Sequence, residues 1–327
     1  MIGVDLGGTK IEAVALDSAG AEIFRERRPT PRHDYAATIR VIAELAALAE
    51  ARLGRQRGIG VAIPGCVSRN TGLVKNANST WLNGKPLATD LEAATGRKVA
   101  LINDANCFVL SEATDGAGAG AGVVFGVIAG TGVGGGVAVH GRVLEGSHLL
   151  AGEWGHNPLP GMTPDEWQEA PSCYCGKRGC IETWVSGIGL AADFVRHPLR
   201  PSPAQEPATT VGLLVREPPP STSASRAGEA DLIWTAERIA ASDDPAAEAA
   251  MARFTDRFAR ALATVVNMLD PDVIVLGGGL SNIKPLYRDL PPLVEHYSFS
   301  AESPTRIVPN RHGDSSGVRG AAWLAPE

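Results

Sequence analysis

Aromatic side chains, excess positive charge and long apolar runs are all in short supply, and each shortage narrows what the chain can be. Aromatics are only 5% of the 327 residues, so cores must be filled by alanine, valine, leucine and closely approaching glycine, as in packed α/β layers. Lys and Arg total 30 against 36 Asp and Glu, a formal charge of -6, which argues against nucleic acid as the main partner. No segment approaches the roughly 20 apolar residues that cross a bilayer. The first residues also lack the basic start and apolar core of a signal peptide, so a cytoplasmic protein with no membrane partner is expected. Cysteine is scarce too: there are five, three of them within eight positions, which favours a metal site over disulfides. Two nucleotide signatures are missing, G-x-x-x-x-G-K-[ST] and a G-x-G-x-x-G between strand and helix. Their absence removes the P-loop and nicotinamide readings.

What is present is a pattern that occurs twice. Residues 1–16 read as strand, the turn Gly7-Gly8-Thr9, and strand, with a third strand over 22–28. Apolar spacing predicts a helix over 35–53, then a strand over 57–63 that Pro64-Gly65 terminates. A short helix over 87–95, a strand over 99–103 and a helix over 105–117 complete the first half. Strand 122–129, the turn Gly130-Thr131-Gly132 and strand 134–140 repeat the opening. A helical stretch over 232–269, interrupted near 243–245, leads to strand 273–276 and a third turn, Gly277-Gly278-Gly279. The expected organisation is a duplicated α/β chain. Residues 1–118 would hold sugar and phosphate, and residues 119–327 would bind nucleotide and carry a metal loop over 156–180. A closing helix over 315–324 is expected on the second half, with a crossover to the first left open. Residues 198–228, rich in Pro and Ser, offer little apolar burial and read as a flexible insertion.

Glycine turns after apolar strands let backbone N–H groups approach a phosphate without Cβ interference. Three such turns improve on one, because nucleotide binding needs several converging donors. Thr9 and Thr131 add hydroxyls, Lys10 adds a cation, and Asp5 is placed to hold Mg²⁺ through water. Asp104 ends the strand over 99–103 and is the candidate base. Two roles stay open for it: a helix N-cap, or a carboxylate that orients and deprotonates a sugar hydroxyl attacking a γ-phosphate.

His156, Cys173, Cys175 and Cys180 supply one imidazole and three thiolates, a donor set suited to tetrahedral zinc with no open position, hence structural. Folding around that ion would hold Glu153 and Glu182 beside a polyhydroxy ligand, with Asn78 and Asn103 adding amides from the first half. Glu182 reads equally well as a surface carboxylate. Trp81 and Trp154 can stack on a sugar face or belong to the local core.

These residues resemble the ROK family of sugar kinases and transcriptional repressors, especially its bacterial fructokinases. The resemblance rests on DLGGTK (5–10), KNANSTWLNG (75–84), NDAN (103–106), GTG (130–132), GEWGHNPLP (152–160), CYCGKRGCIET (173–183), LDPDVIVLGGG (269–279) and HGDSSGVRGAAW (312–323). It implies an actin-like (ribonuclease H-like) fold duplicated around a cleft, with Asp104 as general base. It also implies sugar contacts at Asn78, Asn103, Glu153, His156 and Glu182, His156 serving zinc and sugar through different ring nitrogens. The expected activity is ATP- and Mg²⁺-dependent phosphorylation of the 6-hydroxyl of a hexose, fructose first with mannose or glucose behind it, by a homodimer. An N-acetylhexosamine kinase of the same family and a non-catalytic sugar-responsive regulator are the alternatives.

Overall fold

The computed structural model describes residues 1–54, 58–77, 79–197, 234–299 and 305–326. The expected insertion over 198–228 and the candidate contact Asn78 lie outside these described residues.

The first half runs β1 (Ile2–Leu6), β2 (Lys10–Leu16), β3 (Glu22–Pro29), α1 (Tyr35–Leu53), β4 (Ile59–Ile63), β5 (Cys66–Val67), β6 (Val74–Lys75), α2 (Leu87–Thr95), β7 (Val99–Asn103) and α3 (Asp104–Thr114). The second runs β8 (Val123–Ala129), β9 (Val133–Val139), β10 (Arg142–Val143), α4 (Pro164–Gln168), α5 (Glu182–Val185), α6 (Gly187–Arg196), α7 (Ala236–Ala240) and α8 (Pro245–Leu269). It ends with β11 (Val273–Gly277), α9 (Leu286–Tyr297), β12 (Arg306–Pro309) and α10 (Ser316–Leu324).

Two five-stranded sheets result, ordered β3-β2-β1-β4-β7 and β10-β9-β8-β11-β12. In each, the first three strands pair antiparallel and the last two join in parallel. Two lobes of matching sheet order follow from two stretches of matching pattern. On the first sheet, α1 buries Ile42, Leu45, Ala46 and Ala49; Asp34 caps its start, and Gly54, at φ 68°, ends it. On the second, α8 buries Phe254, Phe258 and Leu262, starting at the Asp244 cap with Pro245 in its first turn. That cap and proline are why the helical stretch breaks where the sequence signals it.

The layer between the sheets is α3 and α10. One face of α3 places Cys107 with Ala62, Ile102 and Ala321; the other places Phe108 and Val109 with Val124, Val273 and Val275. The closing helix α10 packs on the first sheet, with Val318 and Ala322 against Val14 and Leu16, rather than on the second half as expected. Helical periodicity marks an apolar face without saying which sheet it meets. The contact is close enough to require glycine. A Cβ at Gly60 would stand 1.8 Å from the Ala321 carbonyl oxygen, and one at Gly320 1.8 Å from that of Cys107.

Candidate active site

The end of β7 positions the candidate base. Asn103, not Asp104, is the helix cap: its Oδ1 accepts from the amides of Ala105 (2.9 Å) and Asn106 (3.3 Å), while its Nδ2 donates to the Gly65 carbonyl at 3.1 Å. The first expectation for Asp104 is corrected accordingly. Asp104 is the first residue of α3, its Oδ1 accepting from the Ala105 amide at 2.8 Å while its side chain opens into the cleft. Water reaches the carboxylate through the cleft mouth, yet protein crowds it on the remaining sides. Burial therefore raises its pKa above the usual carboxylate range, with Glu153 adding to the rise and the Ala105 amide opposing it.

The cleft between the lobes has a volume of about 890 Å³. Its wall brings together Asn103, Asp104, Glu153, His156 and Glu182 with the second glycine turn, Gly130, Thr131 and Gly132. Glu182 starts α5 and braces that turn, its Oε2 accepting from the Val133 amide at 3.0 Å. A Cβ at Gly132 would fall 2.6 Å from the same oxygen. The third turn abuts the second, since a Cβ at Gly130 would lie 3.8 Å from the Gly279 amide nitrogen. Within it, Gly278 and Gly279 are exposed, with Gly278 at φ 79°, whereas Gly277 is a buried strand end under the ring of Phe108.

The first turn stands at the edge of this arrangement, and Gly7, Gly8, Thr9 and Lys10 do not line the cleft wall. The Gly7 amide donates to the Lys10 carbonyl at 3.0 Å, and Thr30 Oγ1 donates to the Gly7 carbonyl at 2.7 Å, which holds the turn against β3. Asp5 connects it to the base. Its pKa is pushed up to about 7 by burial first, then by the charges of Asp104 and Glu12, with Lys10 pulling it back. Neighbouring carboxyls that resist sharing negative charge fit a hard dication.

The metal loop forms the opposite part of the wall. The donor atoms of His156, Cys173, Cys175 and Cys180 all lie within 4.8 Å of one another. His156 Nδ1 is 3.5 Å from Cys173 Sγ, and Cys175 Sγ is 3.6 Å from Cys180 Sγ. Three soft donors and an imidazole converging this closely fit a tetrahedral zinc ion with all positions filled by protein. Burial raises Cys173 and pushes Cys180 up to about 12, so ion binding there must displace protons. Glu153, just before His156, is likewise raised by burial, with the His156 charge opposing the rise and Glu182 adding to it.

For the two tryptophans the core alternative holds. Trp154 is core: its Nε1 donates to the Gly134 carbonyl at 3.2 Å, and its ring lies 5.5 Å from that of Phe125. Trp81 packs with the first-half core and the His33 ring instead of lining the cleft. Tyr174 is among the cleft residues missed. It lines the wall with its hydroxyl 2.9 Å from His156 Nε2. Its place between two candidate ligands of a C-x-C was the available signal. Among the described residues, no helix is long and apolar enough to cross a membrane.

The ROK family model matches residues 1–327. The chain belongs to the ROK family. This ROK protein is 37% identical over 331 residues to the N-acetyl-D-glucosamine kinase of Yersinia pseudotuberculosis, covering 98% of this chain and 97% of the relative. It is 36% identical over 328 residues to the same enzyme of Vibrio vulnificus, covering 98% of each. Its fold matches the ROK hexokinase of Thermus thermophilus at TM-score 0.78 and 29% identity, over 99% of this chain and 97% of that one. It also matches the ROK glucokinase of Streptomyces griseus, solved with glucose and AMPPNP, at TM-score 0.73 and 25% identity, over 99% and 98%. The actin-type α/β kinase fold with two similar lobes is thereby shown. The expected likeness to fructokinases is overturned, because the curated relatives matched across nearly the full length are N-acetyl-D-glucosamine kinases.

Proposed function

We propose that this ROK protein transfers the γ-phosphoryl group of ATP to the 6-hydroxyl of N-acetyl-D-glucosamine. The observation that carries the reading is a single cleft joining the Asp104 carboxylate, a glycine turn, and a wall of acids braced by a metal loop. The names of the relatives direct the choice among hexoses toward an acetylated one.

In this mechanism Asp104 accepts the proton of the 6-hydroxyl as that oxygen attacks phosphorus, and it aligns the oxygen beforehand. Glu153 and Glu182 hold sugar hydroxyls, and His156, with Nδ1 toward Cys173 and Nε2 at the Tyr174 hydroxyl, reaches the sugar through Tyr174. Asn103 keeps Asp104 in place through its cap. Amides and hydroxyls of the turns at Gly7-Gly8-Thr9, Gly130-Thr131-Gly132 and Gly277-Gly278-Gly279 carry phosphate oxygens, with Lys10 adding positive charge. Asp5 would hold Mg²⁺, which would neutralise charge on the phosphates. His156, Cys173, Cys175 and Cys180 would hold zinc, which would crosslink the loop that presents Glu153 and Glu182. The matching order of the two sheets supports a duplicated ribonuclease H-like unit divided at 118/119. A cytoplasmic homodimer accompanies this reading. The test is ADP release across N-acetylglucosamine, N-acetylmannosamine, glucose and mannose with zinc and Mg²⁺ supplied. N-acetylglucosamine is expected to give the highest kcat/KM, and absence of sugar-dependent turnover rejects the kinase assignment.

A further inference from the structure

The acids of the cleft wall leave one part of the proposed substrate without a partner. Sugar hydroxyls can donate to Glu153 and Glu182, but the carbonyl oxygen of an acetamido group only accepts, so it needs a donor. Glu182 is itself committed to the Val133 amide at 3.0 Å. Tyr174 stands in the same wall, 83% exposed, between Cys173 and Cys175. The loop that gathers the metal donors therefore fixes its backbone on both sides.

Its hydroxyl is oriented as well. The phenolic oxygen is 2.9 Å from His156 Nε2, and the two rings meet edge-on with centroids 5.0 Å apart. The other nitrogen, Nδ1, is turned toward Cys173 Sγ at 3.5 Å. An ion held at Nδ1 would leave the ring proton on Nε2, which would then donate to the phenol and free the phenol proton for the cleft. In a pyranose, C2 is opposite C5 across the ring, so a 6-hydroxyl at Asp104 turns the C2 substituent away from α3. Asp104, Glu153 and Tyr174 line the same cleft.

We infer that Tyr174 is a specificity-determining residue whose hydroxyl, held by His156, donates to the carbonyl oxygen of a 2-acetamido group. The inference rests on the proposed function and adds the group that distinguishes an acetylated sugar from a plain hexose. Lys177 also lines the wall, but as a hydrated, flexible charge it offers less directional recognition.

The test is calorimetric binding of N-acetylglucosamine and of glucose to the full zinc-loaded chain and to Tyr174→Phe, with turnover of both sugars measured in parallel. Zinc content reports whether the loop is intact, and Tyr174→Trp supplies a second variant that keeps an aromatic ring. The ratio of the two affinities is expected to fall about tenfold in Tyr174→Phe, the scale of one lost hydrogen bond, at unchanged zinc stoichiometry. An unchanged ratio overturns the role of Tyr174, whatever the turnover. A reduced ratio without turnover of either sugar supports the role of Tyr174 and rejects the kinase reading. Failure of the full chain to bind either sugar overturns both.

Discussion

At the scale of single residues, the proposed reaction turns on the charge of Asp104. Replacement by Asn preserves shape and the neighbouring cap, so folding and zinc content should be retained while kcat falls about 10²–10⁴-fold; unimpaired turnover would remove Asp104 from the role of base. Burial raises its pKa, which sets a sign. The protonated form persists to higher pH than in an ordinary aspartate, so activity is lost as pH falls through a limb above the normal value near ~3.9. A kcat/KM profile with its acid limb at or below that value contradicts the environment described for the residue. The strand-end acid was legible because apolar residues 99–102 precede it. The division of labour with Asn103 was not, since both residue types cap helices and only backbone placement decides which does. Trp154 was equally ambiguous, because Phe125 and Phe258, which enclose it, are distant in sequence. Glu112 carried no signal at all. It is fully buried, with oxygens accepting from the amides of Ala117, Arg311 and His312 and from Ser316 Oγ, and so ties α3 to the entry of α10.

At the scale of elements, the metal loop and the inter-sheet helices make separate demands. Cys175→Ser removes a soft donor, so the purified protein is expected to lose stoichiometric zinc and the segment over 153–182 to gain proteolytic sensitivity. Full zinc occupancy measured by mass spectrometry rejects Cys175 as a ligand. Gly320→Ala drives a methyl group toward the Cys107 carbonyl from 1.8 Å away, with backbone on both sides. Overpacking of this kind costs about 1–3 kcal/mol or more, and a urea melt with an unshifted midpoint would refute the packing. The repeated hairpins were readable from strand periodicity and turn glycines. The partner of α10 was not read, although Gly3 and Gly60 inside strands were evidence that another backbone comes close there.

For the whole molecule, contacts reach across the cleft mouth. Arg69 is 3.4 Å from Glu145, and Lys75 Nζ donates to the His148 carbonyl at 3.3 Å, joining the β5–β6 hairpin to the segment after β10. Exposed pairs of this kind contribute about 0–1 kcal/mol, too little to hold two lobes rigidly. Saturation with sugar and nucleotide is therefore expected to close the cleft and exclude water, reducing the radius of gyration in solution scattering. An unchanged curve argues against closure. Two matching lobes were foreseeable from the repeated pattern, whereas the order of the sugars was not: the relatives favour the acetylated hexose given as an alternative over the fructose placed first. Neither glycine turns nor a strand-end acid report the wall side chains, such as Tyr174, that face a bound sugar in the proposed reading.

The seat of α10 has a bearing on biosynthesis. The strands translated first cannot complete their apolar cover until residues 316–324 have left the ribosome, because that helix supplies Val318, Ala321 and Ala322 to their interior face. A nascent chain paused or cut short before Ser316 exposes β1, β2 and β4 to chaperones and proteases, however well the later lobe has folded.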